Sequence, residues 1–217
     1  MNEIAKGFIS KEFSIKMKNE LTDPNKLDRV KDYIIDTKAF SDMIQRERFN
    51  KQSSVIKNKK GICNFVKGQI DKLDEKSVDK FTVWHQEVMD LLGVNYGLSV
   101  GLAQKLINMS IKYYHFIEMG YKKKLCKNGV SRFIKYVDIP LDSFILKWFY
   151  YNSVLDDEVK QKTIPSWTNL TNLDDYRFLQ NKIKGLLEKV NHDDCLIAET
   201  MIWDGVKEIR NVSGMEL

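Results

Sequence analysis

Residues 93–119 read GVNYGLSVGLAQKLINMSIKYYHFIEM. The stretch opens on a glycine-bearing turn, Gly93-Val94-Asn95-Tyr96-Gly97-Leu98-Ser99. It then continues with helical periodicity over about 100–119. Gly120 and the lysine run behind it are the expected end of that helix. Before the turn, Ser77 starts another helical pattern. Phe81, Trp84, Val88 and Leu92 recur at spacings of three or four, and Gly93 is the expected stop. Helix, glycine turn, helix is therefore the centre of the chain.

The flanks carry the same periodicity. Pro24 suits a first helical position, and Leu27, Val30, Tyr33, Ile34 and Ile35 predict one long or two short helices over 25–48. Residues 50–60 are polar without apolar periodicity and read as a loop. Residues 61–73 place Ile62, Phe65, Val66, Ile70 and Leu73 on one helical stripe. Asn128-Gly129 signals a hairpin turn between 122–127 and 130–137. Pro140 breaks the chain, and Asp142 is a suitable N-cap for a helix over 143–153. Residues 156–171 read as loop. Two further helices fit 174–190 and 194–210, each capped by its first aspartate. The expected fold is all-α, a single-domain helical bundle over 1–217 with room for one small β-hairpin near 122–137. Its parts are N-terminal helices (1–92), a hairpin-helix and basic segment (93–140) and C-terminal helices (141–210).

Composition agrees. The chain has 217 residues, 43% of them hydrophobic and 30% charged, with three prolines and eleven glycines. That balance is globular, and it disfavours a turn-dense sandwich or a linker-like chain. No span of about 20 apolar residues exists, so no membrane partner is expected. Met1 to Lys6 has no apolar run behind it, so no secretory signal is expected and the cytoplasm is the expected location. Cys63, Cys126 and Cys195 are far apart and form no Cys-x-x-Cys pair. Reduced thiols are expected, with neither a metal site nor a cofactor. His192-Asp193-Asp194-Cys195 reads as a polar helix-start loop.

Charge is unevenly placed. The net charge is +5, but residues 1–153 carry +9 and residues 154–217 carry −4. The sharpest cluster holds Lys105, Lys112, Lys122, Lys123, Lys124, Lys127, Arg132 and Lys135 against one acid, Glu118. Tyr113, Tyr114, Phe116, Tyr121, Phe133 and Tyr136 interleave with it. A second cluster runs from Arg46 through Arg48, Lys51, Lys57 and Lys59 to Lys60. Grouped cations attract phosphates and release counterions, and neighbouring aromatics can stack on unpaired bases. DNA or RNA is the partner this pattern suggests; the bland alternative is a solvated face with its aromatics turned inward.

Two segments resemble the helix-hairpin-helix DNA glycosylase family. One is Leu98-Ser99-Val100-Gly101-Leu102-Ala103-Gln104-Lys105; the other is Val137-Asp138-Ile139-Pro140-Leu141-Asp142-Ser143. The resemblance implies that amides near Gly97 and Gly101, at a helix N-terminus, grip a phosphate. It also implies that Asp142 is the catalytic carboxylate of base excision, acting at the sugar of an extruded nucleotide. Ala103 stands where the family's lyase enzymes have lysine, so a monofunctional glycosylase is implied. Only one hairpin glycine of the pair is kept, and the family's iron–sulfur cysteines are absent.

Three functions are consistent with these residues. The first is a nucleic-acid-binding helical protein using Gly97, Gly101 and the lysines of 105–135. The second is a non-enzymatic interaction factor, such as one of bacterial or phage defence, whose acidic 154–217 region meets a basic partner or a second copy. The third is the glycosylase. Trp84, Trp148, Trp167 and Trp203 are all expected in the core, and His85 and His115 in satisfied core or surface positions. Trp167, behind Pro165, is the tryptophan to test for ligand contact.

Overall fold

A computed structural model describes residues 2–44, 54–151, 167–170, 172–189 and 194–213. Every regular element among them is helical, and none is a strand. The fold class is all-α. No helix among the described residues is long and apolar enough to cross a membrane. The chain gathers into two compact units, residues 1–98 with 102–137 and residues 99–101 with 138–217.

The first unit begins with α1 (Asn2–Glu12), which buries Ala5 and Ile9 at a spacing of four. Ser14 then caps α2 (Ile15–Glu20), its Oγ accepting from the Met17 amide at 3.3 Å. Pro24 opens a 3-10 turn that leads into α3 (Leu27–Asp32), a π-helical stretch (Tyr33–Ala39) and α4 (Phe40–Ile44). Val30, Ile34, Ile35, Phe40 and Met43 are the buried face of this run. Residues 54–60 are not the expected loop: α5 (Ser54–Lys57) and α6 (Lys59–Asp71) occupy them. Val55 is the buried apolar anchor of this mostly polar stretch, too short an apolar pair with Ile56 for periodicity to weigh. Arg46, Arg48 and Lys51 lie outside the described residues.

Gly93 does not stop its helix. α7 runs Phe81–Tyr96, because Tyr96 has a place to pack: its ring meets Phe65 at 5.8 Å and its hydroxyl donates to the Gly61 carbonyl at 3.2 Å. The stop is Gly97, at φ 70° and ψ 26°. That left-handed conformation suits glycine, and its N–H returns to the Gly93 carbonyl at 2.9 Å.

α8 (Val100–Tyr121) is buried along most of its length, at every residue from 101 to 118. It is therefore not amphipathic in the usual sense, since it has no solvent face. Its polar side chains are internal. The His85 imidazole pairs with Asn108 Oδ1 at 2.7 Å, and Asn108 Nδ2 donates to Gln104 Oε1 at 3.2 Å. Asn108 Oδ1 can only accept, so His85 Nε2 is the donor.

The second unit contains α9 (Ser143–Tyr151), α10 (Leu173–Lys189) and α11 (Cys195–Ser213). Asp194 caps α11 as expected, accepting from the Leu196 and Ile197 amides at 3.1 Å each. Asn172, not Asp174, caps α10, accepting from the Asp174 amide at 2.8 Å. α9 packs on α11, with the Phe144 and Trp203 rings 5.2 Å apart.

All three thiols are buried, and burial pushes each up to about 12. The thiolate is the nucleophile, so none of them should react with a disulfide reagent near pH 8 while the chain is folded. In denaturant three equivalents should react at once. A thiol that reacts in the native chain as fast as in the denatured one would contradict its burial. A raised folded value also favours folding below the ordinary thiol range. That contribution is lost as pH climbs from about 9 toward 12, so stability should fall over that window.

Candidate nucleic-acid interface

The segment after α8 leaves the helix at Lys122, whose φ is 56°, and turns again at Gly129, at φ 78°. It forms no hairpin. Its amides are taken by carboxylates instead of by a partner strand. Glu118 Oε1 accepts from the Val130 amide at 2.8 Å; Oε2 accepts from the Ser131 amide at 2.9 Å and the Ser131 hydroxyl at 2.6 Å. Asp74 accepts from the Lys127 and Asn128 amides, each at 2.7 Å, while Asn128 Nδ2 donates to the Asp74 carbonyl at 3.2 Å. Arg132 donates to the Leu73 and Lys76 carbonyls at 2.7 and 3.1 Å, and its guanidinium lies 4.3 Å from the Phe133 ring centre. Phe133 is buried and stacks on Phe81 at 5.1 Å.

Below the loop, His115 Nδ1 lies 2.8 Å from Ser131 Oγ. The Ser131 proton is already directed at Glu118, so His115 Nδ1 is the donor in this pair. A chain from imidazole through hydroxyl to carboxylate thus ties the loop to α8. Gly129 permits it. A Cβ there would stand 2.9 Å from Glu118 Oε2.

The cations this leaves outside are lysines. Lys122, Lys124, Lys127 and Lys135 are exposed and Lys123 is half-buried. Among the described residues no carboxylate side chain pairs with any of them. Residues 121–136 hold six cationic side chains and no acid. Five of the six therefore face water on a fastened loop.

The other expected contacts do not join them. Lys105 and Lys112 are buried, at 4% and 2% exposure. Lys112 Nζ sits 4.7 Å from the Phe8 ring centre and 5.7 Å from that of Phe116. Lys105 lies near Asp42, whose carboxyl burial raises above the usual range despite that charge and a 2.9 Å hydrogen bond from the Tyr113 hydroxyl. The run of lysines in sequence is thus two sets, one inside α8 and one outside. Arg132 is a tether rather than a free cation.

Nor does the glycine turn present amides to a phosphate. Gly101 is buried, and its N–H donates to the Leu170 carbonyl at 2.9 Å. A Cβ on it would stand 2.0 Å from the Trp167 carbonyl oxygen. The close approach that glycine allows is made by another stretch of this backbone. Ser99 Oγ likewise donates to the Thr168 carbonyl. Trp167 is itself buried, as expected of a core tryptophan. Gly97 is exposed and serves as the helix stop described above.

Asp142 is an N-cap. Oδ1 accepts from the Phe144 and Ile145 amides at 2.9 and 3.0 Å, and Oδ2 accepts from Trp203 Nε1 at 3.1 Å. The side chain is buried, and both oxygens are spoken for. Nearby Asp138 is held by the Tyr176 hydroxyl at 2.8 Å and Lys184 at 2.6 Å. The Gln180 side chain clamps both backbone groups of Ile139, at 3.2 and 2.8 Å. These bonds fix the bend at Pro140. They do not open a cleft at Asp142.

Glu118 and Asp74, which fasten the basic loop, are not among the expected site residues. Glu118 did carry a signal: it is the single acid in a run of eight cations. Comparison with protein family models, characterised proteins and solved structures finds no match to this chain.

Proposed function

We propose that this protein binds nucleic acid through the loop at 121–136, with Lys122, Lys123, Lys124, Lys127 and Lys135 as its phosphate contacts. The observation that carries the reading is the pairing of charge with restraint. Five unpaired ammonium groups belong to one segment whose backbone is fastened by Glu118, Asp74 and Arg132. Fixed cations bind a polyanion at less ordering cost than cations on a mobile chain, because the backbone entropy is already spent on folding. Lysine contacts phosphate as a point charge, and a phosphate contact carries no base information. Base excision is not part of this reading, since the Asp142 carboxylate caps α9 and holds Trp203.

Fluorescence anisotropy with a labelled oligonucleotide tests it. The chain should bind at low salt, with an affinity falling steeply as salt rises. Replacing all five lysines with glutamine should remove most of that affinity and flatten the log–log salt slope by about 4, near 0.7–0.9 per lost contact. Thermal stability should be unchanged, because these side chains hold nothing in place. Undiminished binding by the five-fold variant would move the interface elsewhere. Tighter association with anionic lipid vesicles than with any oligonucleotide would replace this reading with a membrane-surface one.

A further inference from the structure

We infer that the outer face of α7 docks a helix of another protein, one that carries lysine or arginine between two apolar ends. This face bears acids where the basic loop bears cations, so it stands apart from the nucleic-acid reading. Among the described residues seven large hydrophobic side chains are exposed, and three belong to α7: Val83, Leu91 and Val94, at 53%, 40% and 83%. Scattered singly, such side chains need no explanation. These three share one side of one helix. Val83, Glu87, Asp90 and Val94 follow one another at intervals of four, three and four residues, the spacing of a heptad seam. All four are exposed, while Trp84, Val88 and Leu92 are buried on the opposite side. The seam is apolar at both ends, which helical rise sets about 16 Å apart, and acidic between them. Leu91 flanks it.

The charge of the seam decides what it fits. α7 holds no lysine or arginine. Among the described residues neither the Glu87 nor the Asp90 carboxylate has an ion pair or a side-chain hydrogen bond. In a chain of net charge +5, two carboxylates are thus left unpaired between exposed valines. A second copy is a poor occupant. Seam against seam, parallel or antiparallel, sets these two acids against the same two acids. Phosphates of nucleic acid and of anionic lipid meet the same repulsion. A helix with cations opposite Glu87 and Asp90, and with apolar residues opposite Val83 and Val94, satisfies the whole seam.

The probe is a labelled synthetic peptide of about 21 residues, above the length at which isolated helices are marginal. It carries leucine at the two outer seam positions and lysine at the two between. A twin carries glutamate in place of those lysines. In anisotropy the lysine peptide should bind about tenfold tighter than its twin, since two exposed ion pairs form with one and two repulsions with the other. Glu87→Lys combined with Asp90→Lys should invert that order, and a merely disturbed fold would not make the glutamate peptide the tighter one. Val83→Ser combined with Val94→Ser should weaken the lysine peptide about tenfold, whereas attraction by charge alone would survive it. Both double variants should melt with the parent, because all four side chains are exposed. The five-fold glutamine variant of the basic loop should keep its peptide binding, so failure here and failure of the nucleic-acid reading are told apart. Equal affinity for the two peptides, indifference to either double variant, or absence of binding overturns the inference. So does a chain that dimerises by itself in light scattering and becomes monomeric with Val83→Ser and Val94→Ser, which would make the occupant a second copy. Anionic vesicles bound by the parent and released by that same variant would make it a membrane.

Discussion

Glu118→Ala should destabilise the chain by about 4 kcal/mol, more than any other single side-chain truncation considered for the basic loop. The carboxylate is nearly buried and accepts three hydrogen bonds from Val130 and Ser131. Alanine leaves those donors without an acceptor in a place where water does not easily reach. Each such donor costs about 1–3 kcal/mol. Glu118→Gln should cost about half as much, since one carbonyl oxygen still accepts while the amide NH2 faces a donor. Chemical denaturation measures both. The same change should weaken apparent oligonucleotide binding in step with the fraction of chains it unfolds, because those chains no longer hold the lysines together. A Glu118→Ala chain within about 1 kcal/mol of the parent would show that the loop is fastened by something other than this carboxylate.

Gly101→Ala should be the second severe change, costing about 3 kcal/mol. The added carbon would stand 2.0 Å from the Trp167 carbonyl oxygen, 3.0 Å from its carbon and 3.2 Å from Thr168 Cα. All three are backbone atoms, so no side-chain rotation relieves them. The 167–170 stretch would have to retreat from Gly101, and the Leu170 carbonyl would lose the Gly101 amide. Gly97→Ala is the informative companion. Nothing lies within 4 Å of its added carbon, and the cost is only that of placing alanine at φ 70°, about 1 kcal/mol. If the turn gripped a phosphate, Gly101→Ala would weaken nucleic-acid binding while leaving stability intact. Packing predicts the reverse order of effects. Parent-like stability in Gly101→Ala would end the packing account.

The two glycines illustrate how far local pattern reaches. Glycine after an apolar helical run signals a stop, and the run before 93–97 holds two candidates. The choice between Gly93 and Gly97 is made by Tyr96, whose ring and hydroxyl engage residues of α6. A contact across thirty-five positions is invisible to periodicity. Asp142 shows the opposite case. Its position after Pro140 predicts an N-cap from local chemistry alone, and the cap is there. The glycosylase-like pattern around it adds a role that both of its oxygens are already too occupied to fill.

Lys105 and Lys112 are the instructive misreading. Charge counted along a chain takes every lysine to be solvated, because burying one is costly. α8 buries both, one with its ammonium over Phe8 and Phe116 and the other near Asp42. Sequence alone determined that this chain is helical, because the spacing of apolar residues is a local property that the backbone itself enforces. It also determined that residues 121–136 are cationic without a compensating acid. Which of those cations meet water was decided only when α8 was enclosed and Glu118 reached across to the loop, since burial and hydrogen-bond partnership depend on residues that the chain brings together only on folding.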